Sequence, residues 1–176
     1  FTPNAAPGLI PAGDIVSYEA PTVVYREGLW LLVVRATHSE GATELQAFYT
    51  GNLGDGWAPV VNGALEQLTR VESATSEITE PSLMVHNSAY QLYYARRSGT
   101  RWSVELLVSD ELLIWREMGD VLGGSDAAYD SLGARSPDVI SGPDRIEIVY
   151  SGQDGVAFGL GTASRSAPSD TAPSIF

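Results

Sequence analysis

Apolar residues in this chain come in short, nearly unbroken runs separated by polar turns rich in Gly, Pro, Asn, Asp and Ser. Residues 29–34 show the pattern most clearly, being apolar at every position without alternation. A strand of that kind is buried on both faces, whereas a half-exposed strand alternates. The runs repeat. With Pro21, Pro81 and Pro137 as origins, sixty and then fifty-six residues apart, the following dozen positions align without a gap. Each unit reads as an apolar strand, a polar turn (Arg26-Glu27-Gly28, His86-Asn87-Ser88, and residues 141–144) and a second apolar strand. A third strand is expected at 44–49, 103–109 and 156–164, and a fourth at 57–61 and 115–122. The prolines are expected at the first residue of their strands, where a missing N–H costs least.

A repeated sheet of four antiparallel strands, covered on both faces by its neighbours, is a β-propeller blade. The expected fold is therefore all-β: propeller blades of four antiparallel strands, three repeats, forming part of a larger or assembled propeller. Three blades fall short of the four to eight that close a ring. The expected divisions are 1–13 as an outer strand completing another blade, 14–63 as blade 1, 64–124 as blade 2, 125–165 as an incomplete blade 3, and 166–176 as a tail. Residues 8–14 resemble 120–125, the end of a fourth strand, and residues 7–12 are expected to pair beside the strand ending near Ser164, in the same chain or another copy, or with flanking polypeptide. The turn from Thr50 to Trp57 fits Ser/Thr-x-Asp/Asn-x-Gly-x-x-Trp, and 108–115 is a degenerate copy ending at Trp115. The alternative for the second copy is a short amphipathic helix over 109–118. Val23, Leu31, Val33, Leu83, Tyr93, Val139, Ile148 and Val149 occupy equivalent apolar sites and are expected in the core.

Composition narrows the function classes. The 176 residues carry 22 acids and 10 bases, all of the bases Arg, for a net charge of −12. Phosphate backbones and anionic lipid surfaces call for clustered cations, so neither nucleic acid nor a membrane surface is an expected partner. No apolar stretch approaches the ~20 residues of a membrane helix, so no membrane insertion is expected. Cys is absent, which excludes disulfides, thiolate metal sites and a Cys nucleophile. His38 and His86 fall at different repeat positions without ligand spacing, and no metal or cofactor is expected. The chain opens at Phe1 and shows no signal peptide, which fits a removed leader or a piece of a longer polypeptide.

Residues 129–140, with Ile148-Val149-Tyr150-Ser151-Gly152 and residues 159–164, resemble a blade of the five-bladed propellers in glycoside hydrolase families 43 and 32. Glu80-Pro81-Ser82-Leu83 with residues 90–94 resembles another such blade. The resemblance implies an extracellular or periplasmic protein that acts on or binds carbohydrate. It further implies three acids projecting from inner strands into a funnel: a base or nucleophile, an orienting Asp and an acid Glu. Two carboxylates must flank a glycosidic bond with differently tuned proton affinities.

The catalytic candidates are Glu80, Asp138 and Glu19, which lie one before, one after and two before their prolines. Glu80 best matches the family's Glu near Pro, although the Gly of the usual Glu-Gly-Pro is missing. The order of the acids also departs from the family, because Glu80 precedes Asp138. Arg135, Asp130 and Asp14 are the candidates for substrate contact, the two Asp both lying seven residues before a proline. Acids at such positions also serve as turn anchors or stay solvated. Two further readings stand beside a hydrolase. One is a non-catalytic propeller module serving as scaffold or interaction domain of a secreted or surface assembly. The other is an exo-sialidase, for which no trio of Arg is identifiable. Further propeller blades or self-association are the expected macromolecular partners. DNA and RNA should bind poorly at ~150 mM salt, because anions gain nothing from this charge balance. Submicromolar binding in a filter or anisotropy assay would contradict that expectation.

Overall fold

A computed structural model describes residues 8–61, 64–72, 75–125, 129–142 and 144–166. Its strands are β1 (Ile15–Arg26), β2 (Leu29–His38), β3 (Thr43–Thr50), β4 (Ala58–Pro59), β5 (Ser76–His86), β6 (Ala89–Ser98), β7 (Arg101–Ser109), β8 (Arg116–Leu122), β9 (Gly133–Ser141), β10 (Arg145–Gln153) and β11 (Phe158–Ser166). One helix, α1 (Ala64–Thr69), interrupts them. The strands pair antiparallel in chain order as β1–β2–β3–β4, β5–β6–β7–β8 and β9–β10–β11, three successive blades. A single parallel bridge, Trp102 to Gly133, links the second set to the third. Gly133 (φ 125°) is required there, because a Cβ would collide with the Trp102 carbonyl. The first strands of the blades lie side by side, β1 against β5 and β5 against β9.

The prolines do not open their strands. Each sits inside β1, β5 or β9 at a β-bulge, where the register slips between Glu19 and Thr22, between Thr79 and Ser82, and between Arg135 and Asp138. The residue before each proline is left-handed: Ala20 (φ 49°), Glu80 (φ 56°) and Ser136 (φ 50°). A bulge leaves a residue out of the ladder, so a proline there costs no hydrogen bond. The repeat seen in the sequence is thus a repeated bulge.

Two apolar layers join the blades. Leu31, Val33, Leu45 and Ala47 of blade 1 pack with Ile78, Leu83, Leu92, Tyr94, Leu107 and Trp115 of blade 2. Leu65 and Leu68 of α1, an element the sequence pattern did not announce, fill this layer beside β3. On the other face of blade 2, Met84, Tyr93, Val104 and Leu106 pack with Ala134, Val139, Ile146, Ile148 and Tyr150 of blade 3. Consecutive β6 residues therefore serve opposite layers, which is why that strand is apolar without alternation.

Leu31, Val33, Leu83, Tyr93, Val139 and Ile148 are buried as expected, but Val23 is 48% and Val149 37% exposed. Both belong to the first and last blades, whose outward faces have no neighbouring sheet among the described residues; β10 alternates accordingly. The outward face of blade 1 is covered in part, with Leu9, Tyr18 and Trp57 packed on Leu32, Val34 and Phe48. Residues 8–12 form no strand, and 1–7 lie outside the described residues. Among the described strands β11 pairs with β10 alone. Residues 109–118 are not helical. The Ser109 hydroxyl donates to the Ile114 carbonyl (2.6 Å) and accepts from the Leu112 N–H (2.9 Å), and β8 follows. Leu92→Ala, in the middle of the blade 1–blade 2 layer, is expected to cost about 2–5 kcal/mol, and Ile114→Ala on the surface less than about 0.5 kcal/mol. Urea unfolding curves of the two variants check this, and similar midpoints would refute the layer assignment.

Candidate functional site

Antiparallel hairpins place residues equidistant from a turn opposite each other, and beyond the bulge that register slips by one. Glu19 of β1 therefore faces Arg35 of β2, and Glu77 of β5 faces Arg97 of β6. Because β1 and β5 are neighbours, the pairs merge. Arg35 bonds Glu19 and also reaches Glu77 (3.1 Å) and the Thr79 hydroxyl (3.3 Å), and Arg97 reaches the second oxygen of Glu77 (3.4 Å). The indole of Trp102, buried beneath, carries Arg97 at 5.8 Å and Arg135 at 4.5 Å from its ring centre. Arg135 in turn grips Glu80 through two parallel hydrogen bonds, Nη2 to Oε1 at 2.7 Å and Nε to Oε2 at 3.2 Å. The Ser136 N–H donates to the same carboxylate at 2.9 Å. Three acids and three arginines thus form one collar at the N-terminal ends of the inner strands and their β2 and β6 partners.

The bulge supplies Glu80. A left-handed residue turns its side chain out of the pleat, and here that aims the carboxylate at blade 3. Burial disfavours its charge, but Arg135 and the Ser136 N–H outweigh burial and hold the Glu80 carboxyl below its ordinary range. Glu80 is therefore ionised at neutral pH. That state suits a base, a nucleophile or an anchor, and is the opposite of what a proton donor needs.

The other sequence candidates lie elsewhere. Glu19 belongs to the collar, also accepting from the Ser17 hydroxyl (3.1 Å). Asp138 stands opposite Val149 in the ladder, exposed, with no hydrogen-bond or ion-pair partner among the described residues. Asp130 is buried and accepts from the hydroxyls of Ser125 and Tyr150, the latter at 3.1 Å, while the Tyr129 hydroxyl meets that of Tyr150 at 3.0 Å. Burial, Tyr129 and Asp130 together push the Tyr150 phenol up. Gly152 leaves the room this turn needs, since a Cβ would meet Asp130 at 2.7 Å. Asp14, although it shares the repeat position of Asp130, is exposed and pairs with His38 Nδ1 at 3.0 Å. His38 Nε2 lies 3.2 Å from buried Glu44, and Arg70 bonds both Glu44 (3.1 Å) and Glu40 (3.0 Å). Asp14, His38 and Glu40 hold their ligand atoms within 4.8 Å of one another, a spacing a metal ion could use, but Arg70 already supplies a cation there. Arg35, Glu77, Arg97 and Trp102 escaped sequence reasoning. Their signal was the matching placement of Glu19/Arg35 and Glu77/Arg97 about the two hairpin turns, each pair one residue short of mirror positions because of the bulge.

No protein-family model matches the chain, and no curated protein matches its sequence. Solved structures do match in fold. A family 117 glycoside hydrolase from the marine bacterium Zobellia galactanivorans superimposes with a TM-score of 0.67 at 18% identity, covering 90% of this chain and 57% of its own. A family 32 β-fructofuranosidase of Bombyx mori gives 0.63 at 15% identity, covering 88% and 35%. A thermostable family 43 glycoside hydrolase gives 0.63 at 13% identity, covering 86% and 51%. The fold is that of the five-bladed glycoside hydrolase propellers, and the chain spans between about a third and three fifths of these neighbours' length.

A carboxylate whose folded pKa is depressed stabilises the protein above its unfolded value, about 4.3 for Glu, and loses that contribution as pH falls through the lower folded value. Wild type should therefore lose more stability than Glu80→Gln between pH 5 and pH 3. Urea unfolding across that range measures it, and parallel curves would show that the Arg135–Glu80 contact is not formed in solution.

Proposed function

We propose that the chain belongs to a carbohydrate-binding propeller of the glycoside hydrolase kind, working outside the cytoplasm, and that the Glu–Arg collar is where sugar is held. The supporting observation is the convergence of Glu19, Glu77, Glu80, Arg35, Arg97 and Arg135 at one end of neighbouring inner strands. Fixed guanidinium–carboxylate pairs present donors and acceptors at set spacings, which is what vicinal sugar hydroxyls require. Among the described residues no helix is long and apolar enough to cross a membrane.

The collar favours binding over hydrolysis by this chain's own residues. Glycoside hydrolysis needs one carboxyl kept protonated and another ionised across the scissile bond, and Arg135 works against protonation of Glu80. Affinity electrophoresis through gels cast with different polysaccharides, followed by calorimetry with oligosaccharides, tests the reading. At least one glycan should retard the chain, and Arg135→Ala should weaken binding about tenfold or more through loss of charged hydrogen bonds, while circular dichroism shows the fold intact. Binding indifferent to both Arg135→Ala and Glu80→Gln would place the sugar elsewhere. Release of reducing sugar that Glu80→Gln abolishes would make the chain a hydrolase instead.

A further inference from the structure

Glycine inside a strand weakens the ladder and marks places where another group approaches closely. β10 and β11 carry two glycines directly opposite each other, Gly152 and Gly159. Both make room for the same ring. A Cβ on Gly152 would lie 2.7 Å from Tyr129 Cδ2, and one on Gly159 would lie 3.0 Å from that atom. Tyr129 is thus seated across the glycine pair, and 39% of it remains exposed. Its hydroxyl meets that of Tyr150 at 3.0 Å, Tyr150 donates to buried Asp130 at 3.1 Å, and Asp130 also accepts from the Ser125 hydroxyl. Seat and hydroxyl together fix a partly exposed aromatic ring in one orientation, and a ligand-binding surface gains from being held in place beforehand.

The repeat does not demand this ring. Asp14 and Asp130 both lie seven residues before their prolines, and where Tyr129 precedes Asp130, Gly13 precedes Asp14. The ring does stand beside the collar. Its turn continues through Leu132, whose carbonyl accepts from the Trp102 N–H at 2.8 Å, to Gly133 and Arg135, and the Arg135 guanidinium lies over the Trp102 indole. Gly152 shares the face of β10 that turns Ile148 and Tyr150 toward blade 2. Tyr129 therefore lies on the blade 2 side of the sheet, where Arg135 meets Trp102 and Glu80.

A pyranose has a surface to match. Its hydroxyls spread around the rim, while its axial C–H groups gather into an apolar patch on one face. An aromatic face is apolar and carries the negative side of the ring quadrupole, which attracts such C–H groups. We propose that Tyr129 is a stacking platform for a pyranose unit of the glycan whose neighbouring unit the collar holds. The collar supplies charged hydrogen bonds and the platform supplies apolar area, so the ligand is an oligosaccharide containing pyranose and not a lone monosaccharide. This inference rests on the carbohydrate reading of the collar and adds a second subsite to it.

Calorimetry with hexaoses of glucose, mannose, xylose and galactose tests it, using three variants whose folding is checked by circular dichroism. At least one hexaose should bind wild type. Tyr129→Phe keeps the ring and drops the hydroxyl, and should bind within about twofold of wild type, since the ring face is unchanged. Tyr129→Leu still covers the glycines but has no aromatic face, and it and Tyr129→Ala should weaken binding about fivefold to tenfold. In saturation-transfer NMR with the aromatic protons irradiated, C–H protons of one sugar unit should gain signal with wild type and Tyr129→Phe and lose it with Tyr129→Leu. A tyrosine that only props its turn would leave that pattern unmoved. Equal losses in Tyr129→Phe and Tyr129→Leu would overturn the proposal, as would binding that Arg135→Ala weakens but all three Tyr129 variants leave unchanged. Wild type that binds none of the hexaoses but is retarded by the furanose polymers arabinan or inulin would overturn the platform alone. Retardation by no glycan at all would end the carbohydrate reading and the platform with it.

Discussion

A propeller sheet has two apolar faces to cover, and for blade 2 of this chain neighbouring sheets cover both. Blade 2 shows the consequence most fully. From β6 alone, Leu92 and Tyr94 enter the layer shared with blade 1, and Tyr93 between them enters the layer shared with blade 3. Each such side chain contributes about 1.5–3 kcal/mol when fully buried. The two layers hold the inner strands β1, β5 and β9 side by side. Residues far apart in the chain, such as Glu80 and Arg135, meet only because of that packing.

The bulge before each proline is the second recurring device, and the three blades use it differently. The left-handed residue is Ala20 in blade 1, Ser136 in blade 3 and Glu80 in blade 2. A non-Gly residue in that conformation costs roughly 1–2 kcal/mol. At Glu80 the same turn delivers a carboxylate to the Arg135 fork and the Ser136 N–H, charge-assisted bonds that offset the cost. One backbone irregularity thus serves as a spacer in two blades and presents a charged group in the third. The collar around it is balanced, with three acids against three arginines, although the whole chain carries −12. The excess negative charge lies outside the collar.

Strand content and order were legible because they depend on local pattern. Two-sided burial leaves unbroken apolar runs, hairpin turns need Gly, Asn and Ser, and the bulge needs a residue content to lack an N–H, so a proline marks each repeat. Where the local pattern is shared by two environments, the sequence could not distinguish them. Val149 reads like Tyr93, and Val23 like Leu83, but burial depends on whether another sheet lies alongside, which no single strand encodes. The helix α1 is six residues long, too short for a periodic signature, and forms because Leu65 finds an apolar layer to enter and Thr69 bonds the Leu45 N–H and the Leu65 carbonyl.

The acids divide the same way. That carboxylates stand beside the bulge prolines, and that the repeat units are equivalent, follows from the residue order, because spacing along one chain is enough for both. What each carboxylate meets depends on how the blades pack: Glu80 an arginine from another blade, Asp130 two hydroxyls in a buried turn, Asp14 a histidine, and Asp138 none of the described residues. The reason is the range of the forces involved. Backbone propensity and side-chain alternation act over a few residues, whereas an ion pair forms wherever packing brings two charges within about 4 Å, and that packing joins β5 to β9 across more than fifty residues of chain.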